Sequence, residues 1–270
     1  MPIPASLRVD LGIEDAERVA GGCIHDCYRV RIAGATRFLK TNSEDHADAF
    51  AAEADGLAAL RSAGVRAPEA FSHGIAPGRA YLVMEYLDLN GRKDFAALGR
   101  MLAGAHRKPG PRFGWQRDNY IGATPQGNGW SDDWSGFWME RRIRPQIELA
   151  RRNGFDLALP GTSILKGHEP QPSLLHGDLW SGNAGFAVAG PVVFDPAVYY
   201  GDREADLAMT ELFGGFPREF YEAYDKAWPL DQGYERRKPM YNLYHLLNHL
   251  NLFGGGGYLG QVESTLRLFC

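Results

Sequence analysis

Cysteine is scarce. The three thiols, Cys23, Cys27 and Cys270, are too few and too unevenly spaced for a disulfide framework or a four-ligand zinc site, so reduced thiols are expected. Positive charge is not in excess either. Lys and Arg number 29 against 33 Asp and Glu, a net charge of −4, which removes any general pull toward nucleic acid or an anionic membrane. No apolar run approaches the ~20 residues needed to span a bilayer. The opening residues lack the basic end and apolar core of a secretory signal, so a cytoplasmic protein with a small partner is expected. No internal repeat or low-complexity tract is present, and Gly254 to Gly257 reads as a flexible turn between the last two helices. What remains is ordinary globular composition, 44% hydrophobic and 23% charged over 270 residues, enough for one large domain or two lobes around a cleft.

Against that background one stretch carries chemistry: His176-Gly177-Asp178-Leu179-Trp180-Ser181-Gly182-Asn183, followed by the apolar run Val192-Val193-Phe194 and then Asp195-Pro196. Phosphoryl transfer asks little covalent work of a protein, which must place a hydroxyl in line with the γ-phosphate and hold Mg²⁺ against the developing charge. Asp178 has the place of the group that orients or deprotonates the hydroxyl. Asn183 and Asp195 have the places of the two metal ligands, since Mg²⁺ takes carboxylate and amide oxygens beside phosphate and water. The order Asp, Asn, Asp at these spacings is that of kinase catalytic and metal loops. An isolated His-Gly-Asp would serve equally well as a capped turn.

The front of the chain fits a nucleotide lobe. Arg18 to Ile32 alternates on either side of Gly21-Gly22, which predicts two strands joined by a turn that is either an ordinary hairpin or a loop approached by phosphates. Thr36 to Lys40 reads as the next strand, with Lys40 where a kinase lysine reaches the α and β phosphates. Ser43 to Gly64 reads as a helix with Ser43 as N-cap. Glu53 falls on its apolar stripe with Phe50, Leu57 and Leu60, and a carboxylate facing inward needs a partner; Lys40 is the expected one. Two further strands end at Glu85, Tyr86 and Leu87, either a hinge offering its backbone to adenine or simply a buried strand running into a loop.

The remainder reads as mainly helical. Phe95, Leu98, Leu102 and Ala105 mark one amphipathic helix. In the irregular stretch that follows, Trp115, Tyr120, Trp130 and Trp134 either line a pocket or pin a long loop to the core, the commoner role. Arg141, Arg142 and Arg144 look like a solvated helix face. After Asp195 the expectation is that Asp206 accepts N–H bonds from the catalytic loop while Asp202 and Glu204 face a cleft or solvent. Tyr241, Tyr244, His245, Asn248 and His249 are expected to be interlocked in the core.

The run HGDLWSGN, the aspartate-proline after a strand, and AVYYGDREADLAMTELFGGF resemble the fructosamine kinase family, also called ketosamine-3-kinases and related to aminoglycoside phosphotransferases. The similarity extends through GGC at Gly21 to Cys23, Lys40, the helix around Glu53, MERRIRPQ and YNLYHLLNHLNLFGGGGY. The resemblance implies an α+β, bilobal protein-kinase-like fold, with a nucleotide lobe over residues 1–86 and a catalytic and acceptor lobe over 87–270. It implies ATP and Mg²⁺ as cofactors, and phosphorylation of the 3-hydroxyl of a sugar joined as a ketoamine to a small amine or a protein lysine, which makes the adduct labile. Asp178 would then be the base, Asn183 and Asp195 the metal ligands, Lys40 and Glu53 the phosphate pair, Gly21 and Gly22 the phosphate turn, and Glu85, Tyr86 and Leu87 the hinge. Trp180, Asp202 and Glu204 would meet the acceptor, the indole against the C–H side of the sugar.

Two departures stand out. Ile24-His25-Asp26 replaces a third glycine after the turn, and Phe-Asp-Pro replaces Asp-Phe-Gly, which implies no protein-kinase type of activation switch. Cys23, in the proposed phosphate loop, is read either as a redox-sensitive thiol or as a small buried one; a monomer is expected, with a redox-linked dimer as the alternative. An aminoglycoside or choline phosphotransferase would share Asp178, Asn183 and Asp195 without calling for Trp180. A catalytically silent nucleotide-binding module would have no reason to keep Lys40, Glu53, Asp178, Asn183 and Asp195 together.

Overall fold

The computed structural model describes residues 3–19 and 24–269. The chain forms two units, residues 1–94 with 185–195 and residues 95–184 with 196–270. In the first, a short helix α1 (Ala5–Asp10) precedes β1 (Ile13–Arg18), β2 (Asp26–Ile32) and β3 (Ala35–Asn42). After a 3₁₀ turn at Glu44–His46 come α2 (Ala47–Ser62), β4 (Ala70–Ala76) and β5 (Arg79–Glu85). The five strands make one antiparallel sheet in the order β1-β2-β3-β5-β4. Alternation divides its residues between two faces. Tyr28, Val30, Leu39 and Val83 join Leu7 of α1 in a core cluster on one side, and Lys40 points to the side where α2 presents Glu53. The helix differs from expectation at its start: Ser43 stands at the head of the 3₁₀ turn that precedes it, and its hydroxyl pairs with Nδ1 of His46 at 3.1 Å rather than capping a backbone N–H.

The second unit begins with α3 (Phe95–His106), the hairpin β6 (Asn119–Ile121) and β7 (Thr124–Gln126), and α4 (Trp134–Trp138). A π turn at Met139–Ile143 leads into α5 (Arg144–Arg152), and β8 (Ser173–Leu175) follows. The chain then returns to the first unit through the paired strands β9 (Ala184–Ala187) and β10 (Gly190–Val193). It re-enters the second with β11 (Tyr199–Gly201), α6 (Arg203–Leu212), α7 (Arg218–Ala227), α8 (Tyr234–Phe253) and α9 (Tyr258–Leu266). Tyr241, Tyr244, His245 and Asn248 on α8 are buried as the spacing predicts.

The arginine face holds at Arg141 and Arg144, which stay exposed or half-exposed, but not at Arg142. Arg142 is 0% exposed, because the wider π turn rotates it off the solvent side of the helix. Its guanidinium lies 3.9 Å from the Tyr199 ring centre and donates to Gly127 O and Asn128 Oδ1, each at 2.7 Å. The aromatic loop splits: Trp134 is buried and donates to the Tyr241 hydroxyl at 3.1 Å, whereas Trp130 stays 39% exposed and stacks on Tyr200. Most of that loop is therefore pinned to the core.

Candidate active site

In the first unit the chemistry gathers around one buried lysine. Lys40 Nζ donates to Glu53 Oε1 at 2.7 Å and also to Asp195 Oδ1. The expected Lys40 to Glu53 pair is thus present, and Asp195 joins it. Burial alone would strip the ammonium of its proton, but the charges of Asp195 and Glu53 outweigh that and hold its pKa above the ordinary lysine value. The two carboxylates divide unequally. Glu53, deeply buried, has its carboxyl pushed up by desolvation, against the pull of Lys40, whereas the Asp195 side chain is 44% exposed. Asp195 also adopts a left-handed backbone, φ 58, costing roughly 1–2 kcal/mol for a non-glycine residue. Such strain persists only where surrounding contacts over-determine it, and here the lysine supplies one.

Gly21, Gly22 and Cys23 lie outside the described residues. Cys27 is described and buried, and burial pushes its thiol up to about 11 despite Lys40 nearby, so it is a packed thiol and not a reactive one. At the end of β5, Glu85 donates its N–H to Glu69 O at 2.8 Å, and its carboxylate accepts from Arg66 at 3.0 and 2.5 Å. Burial opposes ionisation there, but Arg66 holds the carboxyl below its usual range. Glu85 is therefore tied into the strand end, and Tyr86 and Leu87, half-buried beyond it, are the positions left to offer backbone.

In the second unit the segment that carries Asp178 follows β8 as a turn. Gly177 has φ +82, and a Cβ there would sit 2.1 Å from Ala197 O, so only glycine allows the close approach that carries the chain to Asp178. Asp206 accepts from the N–H of His176 at 2.7 Å and of Gly177 at 2.8 Å, as expected. Burial would raise its carboxyl; His106, His176 and the Gly177 N–H reverse that and hold it below the ordinary range. Asp178 is half-buried. Asn183 donates its amide nitrogen to Asp178 O at 2.8 Å and Oδ2 at 3.2 Å, which leaves its oxygen as the atom suited to a hard cation. Trp180, 38% exposed, packs its ring over Gly182, where a Cβ would come within 2.3 Å of the indole.

Of the two placements expected for Asp202 and Glu204, a cleft or solvent, the structure excludes solvent. Both are buried, because each has a dedicated partner. Asp202 caps α6 through Glu204 N–H and accepts from Tyr241 at 2.6 Å and His168 at 2.7 Å; Glu204 takes a fork from Arg237 at 2.7 and 2.6 Å. They border a cavity of about 410 Å³ with His168, Trp228 and Asp231. Gly201 pairs with Ser173 and Tyr199 with Leu175, so this cavity and Asp178 lie at opposite ends of the β8–β11 ladder. His168, Asp202 and Glu204 bring ligand atoms within 4.8 Å of one another, but Arg237 already supplies the counter-charge a metal would bring.

Two residues were missed. His106 joins Asp206 at 3.2 Å to the Tyr224 hydroxyl at 2.9 Å; it sits four residues after Leu102 on the apolar stripe of α3, the same signal that exposed Glu53. His168 precedes β8 in a loop with no periodicity, and nothing in the sequence marked it.

Comparison with known proteins gives a consistent picture. The sequence profile described as fructosamine kinase matches residues 3–269. A probable ketoamine kinase of Synechocystis is 45% identical over 266 residues, 94% of this chain and 90% of the relative. A putative fructosamine-3-kinase structure from Haemophilus somnus superimposes with a TM-score of 0.89 at 30% identity, covering 98% and 95% of the two chains. An aminoglycoside phosphotransferase described in complex with ADP and hygromycin B shares the fold, with a TM-score of 0.63 at 13% identity over 99% of each chain. The α+β architecture, a five-stranded N-terminal sheet and a helical remainder, is thus protein-kinase-like.

Proposed function

The chain belongs to the fructosamine kinase family, and we propose that it transfers the γ-phosphoryl group of ATP to the 3-hydroxyl of a ketosamine, a ribulosyl or fructosyl adduct of an amine. The observation that carries this is the junction of Lys40 with both Glu53 and Asp195, a phosphate-binding cation oriented by one carboxylate and linked to a second at the metal position. In this reading residues 1–86 bind nucleotide, with Tyr86 and Leu87 against adenine and the Gly21-Gly22 turn over the phosphates, and residues 87–270 hold the acceptor. Lys40 neutralises phosphate oxygens. Asp178 accepts a hydrogen bond from the acceptor hydroxyl, aligns its oxygen and takes its proton as the bond to phosphorus forms. Asn183 and Asp195 would hold Mg²⁺, which supplies charge neutralisation to the phosphates. Trp180 offers an exposed aromatic face to the sugar. Phosphorylation at the 3-hydroxyl would destabilise the adduct and promote deglycation.

A polycationic acceptor would call for an acidic surface, and the carboxylates best placed by sequence, Asp202 and Glu204, are buried and matched by His168 and Arg237. That favours a ketosamine over an aminoglycoside. The test is Mg²⁺-dependent ADP release with ribulosyl-lysine, fructosyl-lysine, kanamycin and choline, each beside Asp178→Asn. Turnover with a ketosamine that Asp178→Asn abolishes, ATP binding being retained, is the expected result. Turnover with kanamycin or choline alone would overturn the substrate class, and full turnover by Asp178→Asn would remove that residue from the mechanism.

A further inference from the structure

His25 lies three residues after Gly22 in the sequence and has no place in the chemistry above. Its position is set by strand register. Cys27 lies opposite Lys40 and Asp26 opposite Thr41, so His25 and Asn42 form the next rung on the face of Lys40. The ring packs 4.8 Å from Phe50 and 5.5 Å from His46, beside α2, the helix that supplies Glu53.

Three hydrogen bonds fix the proton on this imidazole. Asn42 Oδ1 accepts from the Ser43 N–H at 2.8 Å, and Asn42 Nδ2 donates to Ile24 O at 2.9 Å. An N–H can only donate and a carbonyl can only accept, so the amide cannot be flipped. The same Nδ2 lies 3.0 Å from His25 Nδ1, which must therefore accept. The ring proton of the neutral form resides on Nε2. Among the described residues Nε2 has no acceptor, and the ring is only half-buried. Burial and the nearby Lys40 and His46 push the imidazolium down to about 4, so a neutral ring stands beside the lysine at ordinary pH.

We propose that His25 is a hydrogen-bond donor to the nucleotide polyphosphate, its Nε2–H held toward a phosphate oxygen next to the one Lys40 takes, with Asn42 setting the tautomer. A neutral donor suits this place. It adds a directed bond to an anion without setting a second cation against Lys40. It also accounts for the departure from a third glycine after the turn: a side chain does here what backbone N–H groups do in a longer glycine loop. The inference rests on the nucleotide reading but not on the acceptor.

The experiment is equilibrium binding of ATP, ADP and adenosine, without acceptor, to wild type, His25→Phe and His25→Gln, each checked by thermal melting. Phe keeps the packing against Phe50 and removes the donor; Gln restores an N–H near the Nε2 position. Loss of one hydrogen bond to a charged group predicts roughly tenfold or more weaker ATP binding for His25→Phe, recovery of most of it in His25→Gln, and unchanged adenosine affinity. Equal ATP affinity in wild type and His25→Phe, or parallel loss of ATP and adenosine, overturns the proposal. Failure of wild type to bind any of the three removes the nucleotide reading beneath it, a separate result.

Discussion

Lys40 shares one positive charge between two carboxylates, which separates its structural from its chemical role. Removing one member of a buried pair costs about 3–5 kcal/mol because the other is left without a counter-charge. Lys40→Met should therefore lower the melting temperature and abolish turnover together. In the double variant Lys40→Met/Glu53→Met the buried orphan is gone and the carboxylate that remains, Asp195, is 44% exposed to water, so most of the stability should return while turnover does not. Thermal melts and ADP release on the same samples decide the matter; a double variant as unstable as the single would mean that the ion pair is not what holds this position. The pair was legible in the sequence because Glu53 interrupts an apolar stripe, a pattern that burial makes meaningful. The part Asp195 plays in it was not, since 155 residues separate it from Lys40 and periodicity reports only local neighbours.

Between elements, the turn that leads to Asp178 depends on helix α6. Asp206 in its first turn receives two N–H groups from the residues before Asp178 and a third bond from His106 at the end of α3. Asp206→Ala leaves two buried N–H donors unmatched, each costing about 1–3 kcal/mol. The expected outcome is a substantial fall in melting temperature with kcat reduced and the KM for ATP little changed, because the turn that aims Asp178 loosens while Lys40 is untouched. Unchanged kcat in a folded Asp206→Ala enzyme would show that the turn holds itself. Sequence reading reached Asp206 from the need to satisfy a buried turn. It failed at Arg142 because a π turn, one residue wider than the α-helical repeat, resets which side faces inward, and no local residue pattern announced it. At Asp202 and Glu204 it left cleft and solvent open, because their partners His168 and Arg237 come from a loop and from α8, distances along the chain that composition cannot bridge.

Across the whole molecule, pH acts through histidines held in opposite states. Burial opposes protonation of His168, but its hydrogen bond to Asp202 and the charge there prevail, and its pKa lies above the ordinary value. A histidine raised in this way binds its proton more tightly folded than unfolded, so its stabilisation is full below about pH 6.5 and is lost as pH rises through the folded value. His245 on α8 is the reverse. Its Nδ1 is buried without a partner among the described residues, and burial, with His249 nearby, pushes it down to about 3. Unfolding then lets the ring take up a proton that the native state excludes, so stability falls on acidification below about pH 6.5, approaching 1.4 kcal/mol per pH unit. Melting wild type, His168→Gln and His245→Phe from pH 5 to 8 separates the two. The deficit of His168→Gln should be greatest at the acid end and shrink toward pH 8, whereas His245→Phe should gain on wild type as pH falls. Profiles parallel to wild type for both variants would mean that neither ring carries the shift its surroundings imply, and that acid sensitivity is left to the carboxylates, with Asp206 beneath the turn that leads to Asp178 the first to examine.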